Sequence, residues 1–105
     1  MFLHHRDRKL IAAIHAYQRH RAGTGLLARP LCAWAKLRHA FWSALSGSDV
    51  SRDARIAASA SFPHLTGVVI HQDAIVGEGC MIMQQVTLGQ TATHGAPTVA
   101  NGAYI

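Results

Sequence analysis

Large apolar residues recur at every sixth position in the second half of the chain, and a small residue follows most of them four positions later. An α-helix repeats about every 3.6 residues and a strand about every two, so neither produces this period. A hexapeptide β-helix does, because its stacked coils turn each large side chain and the following small one inward. The large positions are Val50, Ile56, Phe62, Ile70, Val76, Ile82, Leu88, Val99 and Ile105, and the small ones are Ala54, Ala60, Thr66, Ala74, Cys80, Val86 and Ala103.

The repeat has two irregularities. It shifts phase by two residues between Phe62 and Ile70, and it is interrupted after Leu88, where residues 90–97 are predicted to form a loop. Loops inserted into solenoids commonly lie on the binding face. At about 18 residues per three-sided coil, residues 49–105 supply about three coils. Solenoids normally end in an atypical capping segment, so a chain that stops on the inward position Ile105 is expected to be part of a longer protein.

The first half of the chain predicts two helices. Residues 4–21 are predicted to form a helix with one apolar face, and residues 22–25 end it. That face consists of Leu10, Ile11, Ile14 and Tyr17. A second helix is expected to begin near Pro30 and to end at residues 46–48. The second helix carries an apolar stripe, and we expect both helices to pack on the first coil or on a neighbouring subunit, with a membrane surface as the minor alternative. The stripe consists of Leu31, Trp34, Leu37, Phe41, Trp42 and Leu45.

The predicted organisation is therefore a helical segment over residues 1–47 followed by a mainly β domain over residues 48–105. Charge is divided in the same way: residues 1–45 carry eight Lys and Arg against one Asp, and the remainder carries two Arg against four acids. The basic residues are scattered, which favours the solvated faces of packed helices over a nucleic-acid site, and no nucleic-acid or P-loop motif is present.

Compartment is inferred from further sequence features. The N-terminus becomes charged before any apolar run develops, so no signal peptide is expected. Arg29, Lys36 and Arg38 interrupt the apolar stretch over residues 26–45, which excludes a conventional membrane span there. Cys32 and Cys80 suggest no disulfide framework, and Cys80 falls on an inward position as a packing thiol. A reducing cytoplasm is the expected location.

The repeat region resembles the serine O-acetyltransferase family and related enzymes that acetylate sugars and polysaccharides. The matching segments are DVSRDARIAASASFPHLTGVVI, DAIVGEGCMIMQQVTLGQT and APTVANGAYI. They include a His-x-Thr-Gly motif at residues 64–67 and a Gln-x-Val-Thr-Leu-Gly motif at residues 84–89. The resemblance implies a left-handed parallel β-helix, acetyl-CoA as cosubstrate, a small-molecule acceptor, and a homotrimer or dimer of trimers.

The resemblance also implies a catalytic pair. His64 matches the family's general base, and Asp49, fifteen positions earlier, matches the aspartate that orients it. Fifteen residues is slightly less than one coil, so the two can lie close together on adjacent coils. A neutral imidazole can take a proton from an alcohol, and a carboxylate on the other ring nitrogen fixes its tautomer. Alternatively, His64 is a solvated corner residue and Asp49 a cap or turn residue.

Two departures from the family pattern bear on the acceptor. Pro63 stands where the serine-specific enzymes have an aspartate that helps to hold the amino acid. The family's Arg-His pair before the loop exit is replaced by Gly95 and Ala96, and His94 is the nearest substitute for substrate binding. Serine is the predicted acceptor, with a sugar hydroxyl of surface polysaccharide biosynthesis as the alternative.

The other histidines carry weaker expectations. Those on the predicted helices, His15 and His39 among them, are expected at the surface, and His71 is expected to point outward. A carbonic anhydrase family with the same architecture binds zinc through three histidines. The only candidates in the repeat region are His64, His71 and His94, and their spacing does not match that of this zinc family. We therefore expect no metal. A third possibility is an inactive remnant or scaffold that no longer binds acetyl-CoA.

Overall fold

The computed structural model describes residues 6–89, 95 and 97–105, as two helices followed by short parallel strands. The helices are α1 (Arg6–Arg21) and α2 (Ala28–Ser46). The strands are β1 (Asp49–Val50), β2 (Arg55–Ile56), β3 (Val69–Ile70), β4 (Ile75–Val76), β5 (Thr87–Leu88) and β6 (Thr98–Val99). Both helices are confirmed, since α2 begins two residues before the predicted Pro30 and ends at the predicted Ser46.

The strands form parallel ladders. One sheet has the order β1-β3-β5 and the other has the order β2-β4-β6. A third ladder consists of parallel bridges from Ser61 to Met81 and from Met81 to Tyr104. The chain passes these three ladders in the same order on successive circuits, and each circuit is called a coil below. Partners in the β1-β3-β5 sheet are offset by 20 and then 18 residues, which preserves the two-residue phase shift predicted from the sequence.

The inward positions of the repeat form most of the core. Every large position from Val50 to Val99 is buried, and so are four of the small positions: Ala54, Ala60, Ala74 and Cys80. Thr66 is the exception, because it is exposed while Leu65 and Val68 are buried beside it. The two extra residues of this coil change which side chains point inward, so that Leu65 and Val68 fill the core and Thr66 points outward. Ile105 is also partly exposed, since no later coil covers it among the described residues.

Helix α1 belongs to the same core as the coils. Its predicted apolar face is confirmed, with Leu10, Ile11 and Ile14 in the core cluster and Tyr17 buried next to three cations. Burial of about three large aliphatic side chains on one face supplies several kcal/mol of the free energy that holds α1 on the first coil. The helix is therefore part of the folded unit and not a separate arm.

Helix α2 differs from the prediction. Most of its apolar stripe does not pack on the coils; the only buried side chains of this helix are Ala35 and Ser46. The exposed stripe consists of Leu31, Trp34, Leu37, Phe41 and Leu45, with exposed fractions between 39% and 60%. Helix α2 packs mainly on α1, and this contact uses a different face. Trp42 is partly buried against the core, so packing on the coils holds for this residue of the stripe and not for the other five.

Both helices also cover the open edge of the first coil. Alternate residues of a parallel strand direct their backbone groups to opposite neighbours. The N–H groups of Asp49 and Ser51 donate to carbonyls of the second coil. The backbone groups of the residue between them, Val50, therefore face away from the second coil. Helical side chains meet these groups in three pairs: His39 with Val50, His15 with Ile56 and Asp7 with Phe62. The edge is thus hydrogen-bonded without another strand.

Neither helix, within the described part of the chain, has the length and apolar character needed to cross a membrane.

Candidate active site

Asp49 lies on the outer surface of the first coil. Helix α2 ends at Ser46. Gly47 follows it in a left-handed conformation (φ 67°), and backbone hydrogen bonds to the Ala44 and Ser43 carbonyls complete the C-terminal cap. The chain then enters β1, where Asp49 points outward and Val50 points into the core. The Asp49 carboxylate is exposed, and its N–H donates to the Val68 carbonyl at 2.8 Å. The cap is therefore made by backbone groups, without a side-chain hydrogen bond from Asp49.

His64 lies at the corner between the third ladder and β3. Pro63 precedes it, and the corner is closed by a hydrogen bond of 3.0 Å from the Val68 N–H to the Leu65 carbonyl. Leu65 is buried and anchors the corner, whereas His64 is exposed. An exposed imidazole at a fixed corner is accessible to a substrate, as a general base must be.

The backbone brings the two candidate residues to the same end of the first ladder. The Gly67 N–H donates to the Gly47 carbonyl at 2.8 Å, so the corner after His64 lies against the turn before Asp49. Within the described residues, however, no side-chain hydrogen bond or ion pair within 4.0 Å joins His64 and Asp49. The adjacency of their backbone segments is a finding, and the contact between the side chains stays a prediction.

His39 of α2 is hydrogen-bonded to strand β1. The expectation that it lies at the surface is wrong. It is half-buried, and its Nε2–H donates to the Val50 carbonyl at 2.6 Å. Burial lowers its pKa below the ordinary 6.5, with Arg52 acting in the same direction, while the Val50 hydrogen bond and the Asp49 charge act to raise it. Asp49 is thus near enough to influence His39.

The corner above His64 carries a residue to which the sequence assigned no role. Gln85 has a left-handed backbone (φ 60°), and its N–H donates to the Thr66 carbonyl at 2.9 Å. Its side chain lies over Gly67, where an added Cβ would come within 2.8 Å of the Gln85 Cγ. Gln85 is the variable position of the Gln-x-Val-Thr-Leu-Gly motif, so the motif gave no signal for this residue.

The remaining candidates are not brought to this corner. His94 lies outside the described residues, so its predicted role in substrate binding has no geometry here. His71 lies at the opposite end of β3, where its N–H donates to the Leu88 carbonyl at 2.8 Å and its Nδ1 accepts a hydrogen bond of 3.0 Å from the Asp73 N–H. Among the described residues, no three His, Cys, Asp or Glu side chains are grouped as metal ligands.

A polar cavity of about 470 Å³ lies elsewhere, between the end of α1 and the second ladder. Its lining includes the ion-paired Arg21 and Asp53 together with Arg55 and Asp73. Neither His64 nor Asp49 lines it. The candidate site is therefore an open corner of the coil and not this cavity.

No protein-family model matches the chain. Curated proteins do: the chain is 38% identical over 93 residues to "Probable serine acetyltransferase 3" of Oryza sativa subsp. japonica, which covers 86% of this chain and 31% of the relative. It is 35% identical over 95 residues to the serine acetyltransferase of Mycobacterium tuberculosis, which covers 88% of this chain and 42% of the relative. The chain thus spans between about a third and two fifths of these relatives.

Solved structures give the same result. The structure of Entamoeba histolytica serine acetyltransferase 1 in complex with L-cysteine matches with a TM-score of 0.56 and 25% identity, over 93% of this chain and 49% of that one. Isoform 3 from the same organism, also in complex with cysteine, matches with a TM-score of 0.60 at 19% identity, which supports the fold alone. The resemblance to the serine O-acetyltransferase family is confirmed.

Proposed function

We propose that this chain, a homologue of serine acetyltransferases, transfers the acetyl group of acetyl-CoA to the hydroxyl of L-serine. The observation that carries the proposal is the similarity to serine acetyltransferases at 35–39% identity, which in three of the four curated relatives extends over 86–88% of the chain. It favours serine over the sugar acceptor considered from the sequence. Because the chain spans less than half of each curated relative, this activity is proposed and not established.

The architecture that goes with this activity is a left-handed parallel β-helix, with a helical segment over residues 1–47 and the coils over residues 48–105. Three observations support it: three parallel ladders, inward large and small positions, and the TM-scores to serine acetyltransferases. Handedness is the part that rests on the relatives, since parallel crossovers are otherwise right-handed.

In the proposed mechanism His64 is the general base and Asp49 its positioning carboxylate. The serine hydroxyl attacks the acetyl carbonyl carbon while His64 takes its proton. The resulting tetrahedral intermediate breaks its C–S bond, and the imidazolium returns the proton to the departing thiolate of coenzyme A. The products are O-acetylserine and coenzyme A, without an acyl-enzyme. Asp49 would accept from the other ring nitrogen and stabilise the imidazolium.

The acceptor site is proposed to lie at the His64 corner. Two solved relatives are complexes with cysteine, an amino acid of nearly the same size and shape as serine. Pro63 provides no carboxylate for the substrate ammonium group, so a different group of the protein must hold it if serine binds here.

We further propose that the protein is a homotrimer or a dimer of trimers. Val69 and Ile75 are each 38% exposed on the outer faces of two ladders, and such outward apolar residues suit lateral contacts between coils. The exposed stripe of α2 supplies a second apolar surface for contacts between subunits. A cytoplasmic location remains a prediction; both cysteines are free, as in a reducing compartment.

The proposal is tested by measuring thiol release from acetyl-CoA with L-serine and then with a panel of sugars. Serine-dependent release is the expected result. Release only with a sugar would make the protein a carbohydrate O-acetyltransferase. If no acceptor supports release, an acetyl-CoA binding measurement separates an inert remnant, which does not bind, from an enzyme with another acceptor.

The role of His64 is tested by His64→Ala. Loss of a general base is expected to lower kcat by about 10²–10⁴-fold. Because His64 is exposed and makes no side-chain hydrogen bond in the described structure, the unfolding midpoint should change little. His71→Ala is the matched control, since it removes a histidine from the opposite end of β3, and it should keep its kcat. An active His64→Ala enzyme would contradict the assignment.

A further inference from the structure

Three hydrogen bonds join the helices to the open edge of the first coil, and they lie at different distances along the chain from the proposed catalytic residues. Three helical side chains each hold one backbone group of the open edge, one on each ladder. Two of these groups are one and two residues away from the proposed catalytic residues, and the third is remote from both. The remote contact can therefore serve as a control for the two contacts near the catalytic residues.

Asp7 holds the segment that leads to His64. Its Oδ2 accepts a hydrogen bond of 3.0 Å from the Phe62 N–H, and its Oδ1 accepts one of 2.8 Å from the Arg8 N–H. Asp7 is only 9% exposed and Phe62 is 3% exposed. A buried, charge-assisted hydrogen bond of this kind is stronger than a neutral one and is costly to leave unmade. Only Pro63 separates the held residue from His64.

His39 holds the strand that carries Asp49. Its Nε2–H donates to the carbonyl of Val50, the residue that follows Asp49 and anchors β1 in the core. The Asp49 charge also acts on His39. Loss of this contact would leave the Val50 carbonyl without its helical donor, on the edge of the strand that carries the proposed orienting carboxylate.

We propose that Asp7 and His39 are positioning residues, which hold the Phe62 and Val50 backbones so that His64 and Asp49 are kept in register for proton transfer. The inference rests on the proposed function of His64 and Asp49. It assigns the helices a role in catalysis: α1 fixes the corner that carries the base, and α2 fixes the strand that carries its partner. A displacement of about 1 Å between reacting groups can cost about 10²-fold in rate, so two short contacts of this kind can affect turnover.

His15 provides the matched control on the remaining ladder. Its Nε2–H donates to the Ile56 carbonyl at 2.6 Å, the same contact that His39 makes with Val50. Ile56 is on β2, seven residues after Asp49 and eight residues before His64. His15→Ala removes an equivalent hydrogen bond from the edge without touching either proposed catalytic segment.

The experiment compares Asp7→Ala, His39→Ala and His15→Ala in steady-state acetyl transfer, at a temperature where circular dichroism shows each variant folded. All three should lose unfolding free energy. We expect kcat to fall by about 10–10²-fold in Asp7→Ala and His39→Ala, and to change by less than about twofold in His15→Ala. The KM for acetyl-CoA should stay within about threefold in all of them. Equal kcat values in all three variants would overturn the proposal.

Conservative variants cover the case in which an alanine variant does not fold. Asp7→Asn retains an oxygen that can accept from the Phe62 N–H, and His39→Gln retains a donor for the Val50 carbonyl. Both should recover most of the lost kcat. If both conservative variants fold but neither recovers kcat, the hydrogen bonds to Phe62 and Val50 do not determine turnover.

Two further measurements separate this proposal from the role of His64 itself. In a His64→Ala background, Asp7→Ala should lower the residual rate no further, because a positioning residue acts through the base. Independently of activity, the imidazole NMR signals of His64 should shift in Asp7→Ala and His39→Ala and stay unchanged in His15→Ala. If His64→Ala is fully active, the proposed function fails. If His64→Ala is inactive but the NMR signals respond equally to all three variants, only the positioning proposal fails.

Discussion

The histidines of the helices differ from His64 in burial and in hydrogen bonding. His15 and His39 are partly buried and donate to carbonyls of the first coil, whereas His64 is exposed at a corner without a side-chain hydrogen bond. The first kind stabilises the fold by holding backbone carbonyls of the first coil, and the second kind remains accessible to a substrate. Residue type alone does not distinguish them, because His15 and His64 both stand between apolar neighbours in the sequence.

His39 gives a prediction for the dependence of stability on pH. Burial lowers its pKa below 6.5 in the folded protein, so the unfolded chain takes up a proton first as the pH falls. This contribution should leave stability unchanged above pH 6.5 and reduce it as the pH falls from 6.5 towards the lowered pKa. Urea unfolding midpoints at pH 7.5 and 5.5 should therefore decline less in His39→Gln than in the unmodified protein. An equal decline would show that His39 does not contribute.

At the scale of elements, the corners of the coils decide where each short strand begins. Strands of two residues supply few hydrogen bonds of their own, so the turns between them fix the register. Gly47, Gly67 and Gln85 adopt positive φ at successive turns of the same corner. The Gly67 N–H donates to the Gly47 carbonyl at 2.8 Å, and the Gln85 N–H donates to the Thr66 carbonyl at 2.9 Å. The two extra residues of the middle coil are absorbed at this corner, where Thr66 turns outward and Leu65 and Val68 fill the core.

Gly67→Ala tests the importance of this corner. The φ of 72° disfavours any side chain, and the new Cβ would meet the Gln85 Cγ at 2.8 Å, so the Gln85 side chain must move. We expect a loss of about 1–2 kcal/mol in unfolding free energy. Gly25→Ala is the control, because nothing lies within 4 Å of its added Cβ and it should change stability by less than about 1 kcal/mol. Equal effects in urea unfolding would contradict this account of the corner.

At the scale of the whole molecule, the helices and the coils share one core and one open edge. Leu10, Ile11 and Ile14 belong to the same buried cluster as the inward residues of the coils. Helix α1 therefore both closes the apolar end of the stack and hydrogen-bonds its backbone. Helix α2 contributes less to this core and leaves a stripe of large apolar side chains exposed.

Ile14→Ala should therefore destabilise the whole molecule and not α1 alone. Ile14 is fully buried, and truncation of such a residue costs about 2–5 kcal/mol. Helical circular dichroism and the amide NMR signals of the coils should be lost in one common transition at a lower midpoint. Leu37→Ala, at a position 60% exposed on α2, is the control and should leave the unfolding free energy nearly unchanged. Separate transitions for helices and coils would show two independent units.

The exposed stripe of α2 provides the test of the proposed assembly. Replacing Trp34 and Leu37 by serine removes apolar surface without disturbing the core, since both side chains are more than half exposed. If the stripe joins trimers, light scattering should show a dimer of trimers converted to trimers. Val69→Lys on β3 should instead disrupt the trimer itself. An unchanged mass in both variants would contradict the assignment of these surfaces.

The sequence by itself determined which side chains enter the core of the coils, where the helices end and which residues carry the candidate chemistry. These features are local: a six-residue period, a glycine cap at Gly47 and short motifs can be interpreted without knowing what lies across the chain. The tertiary structure decided the outward turn of Thr66, the exposure of the α2 stripe and the burial of Asp7 and His39. Each depends on backbone groups distant in sequence, because an edge carbonyl finds its donor only after the coils have stacked.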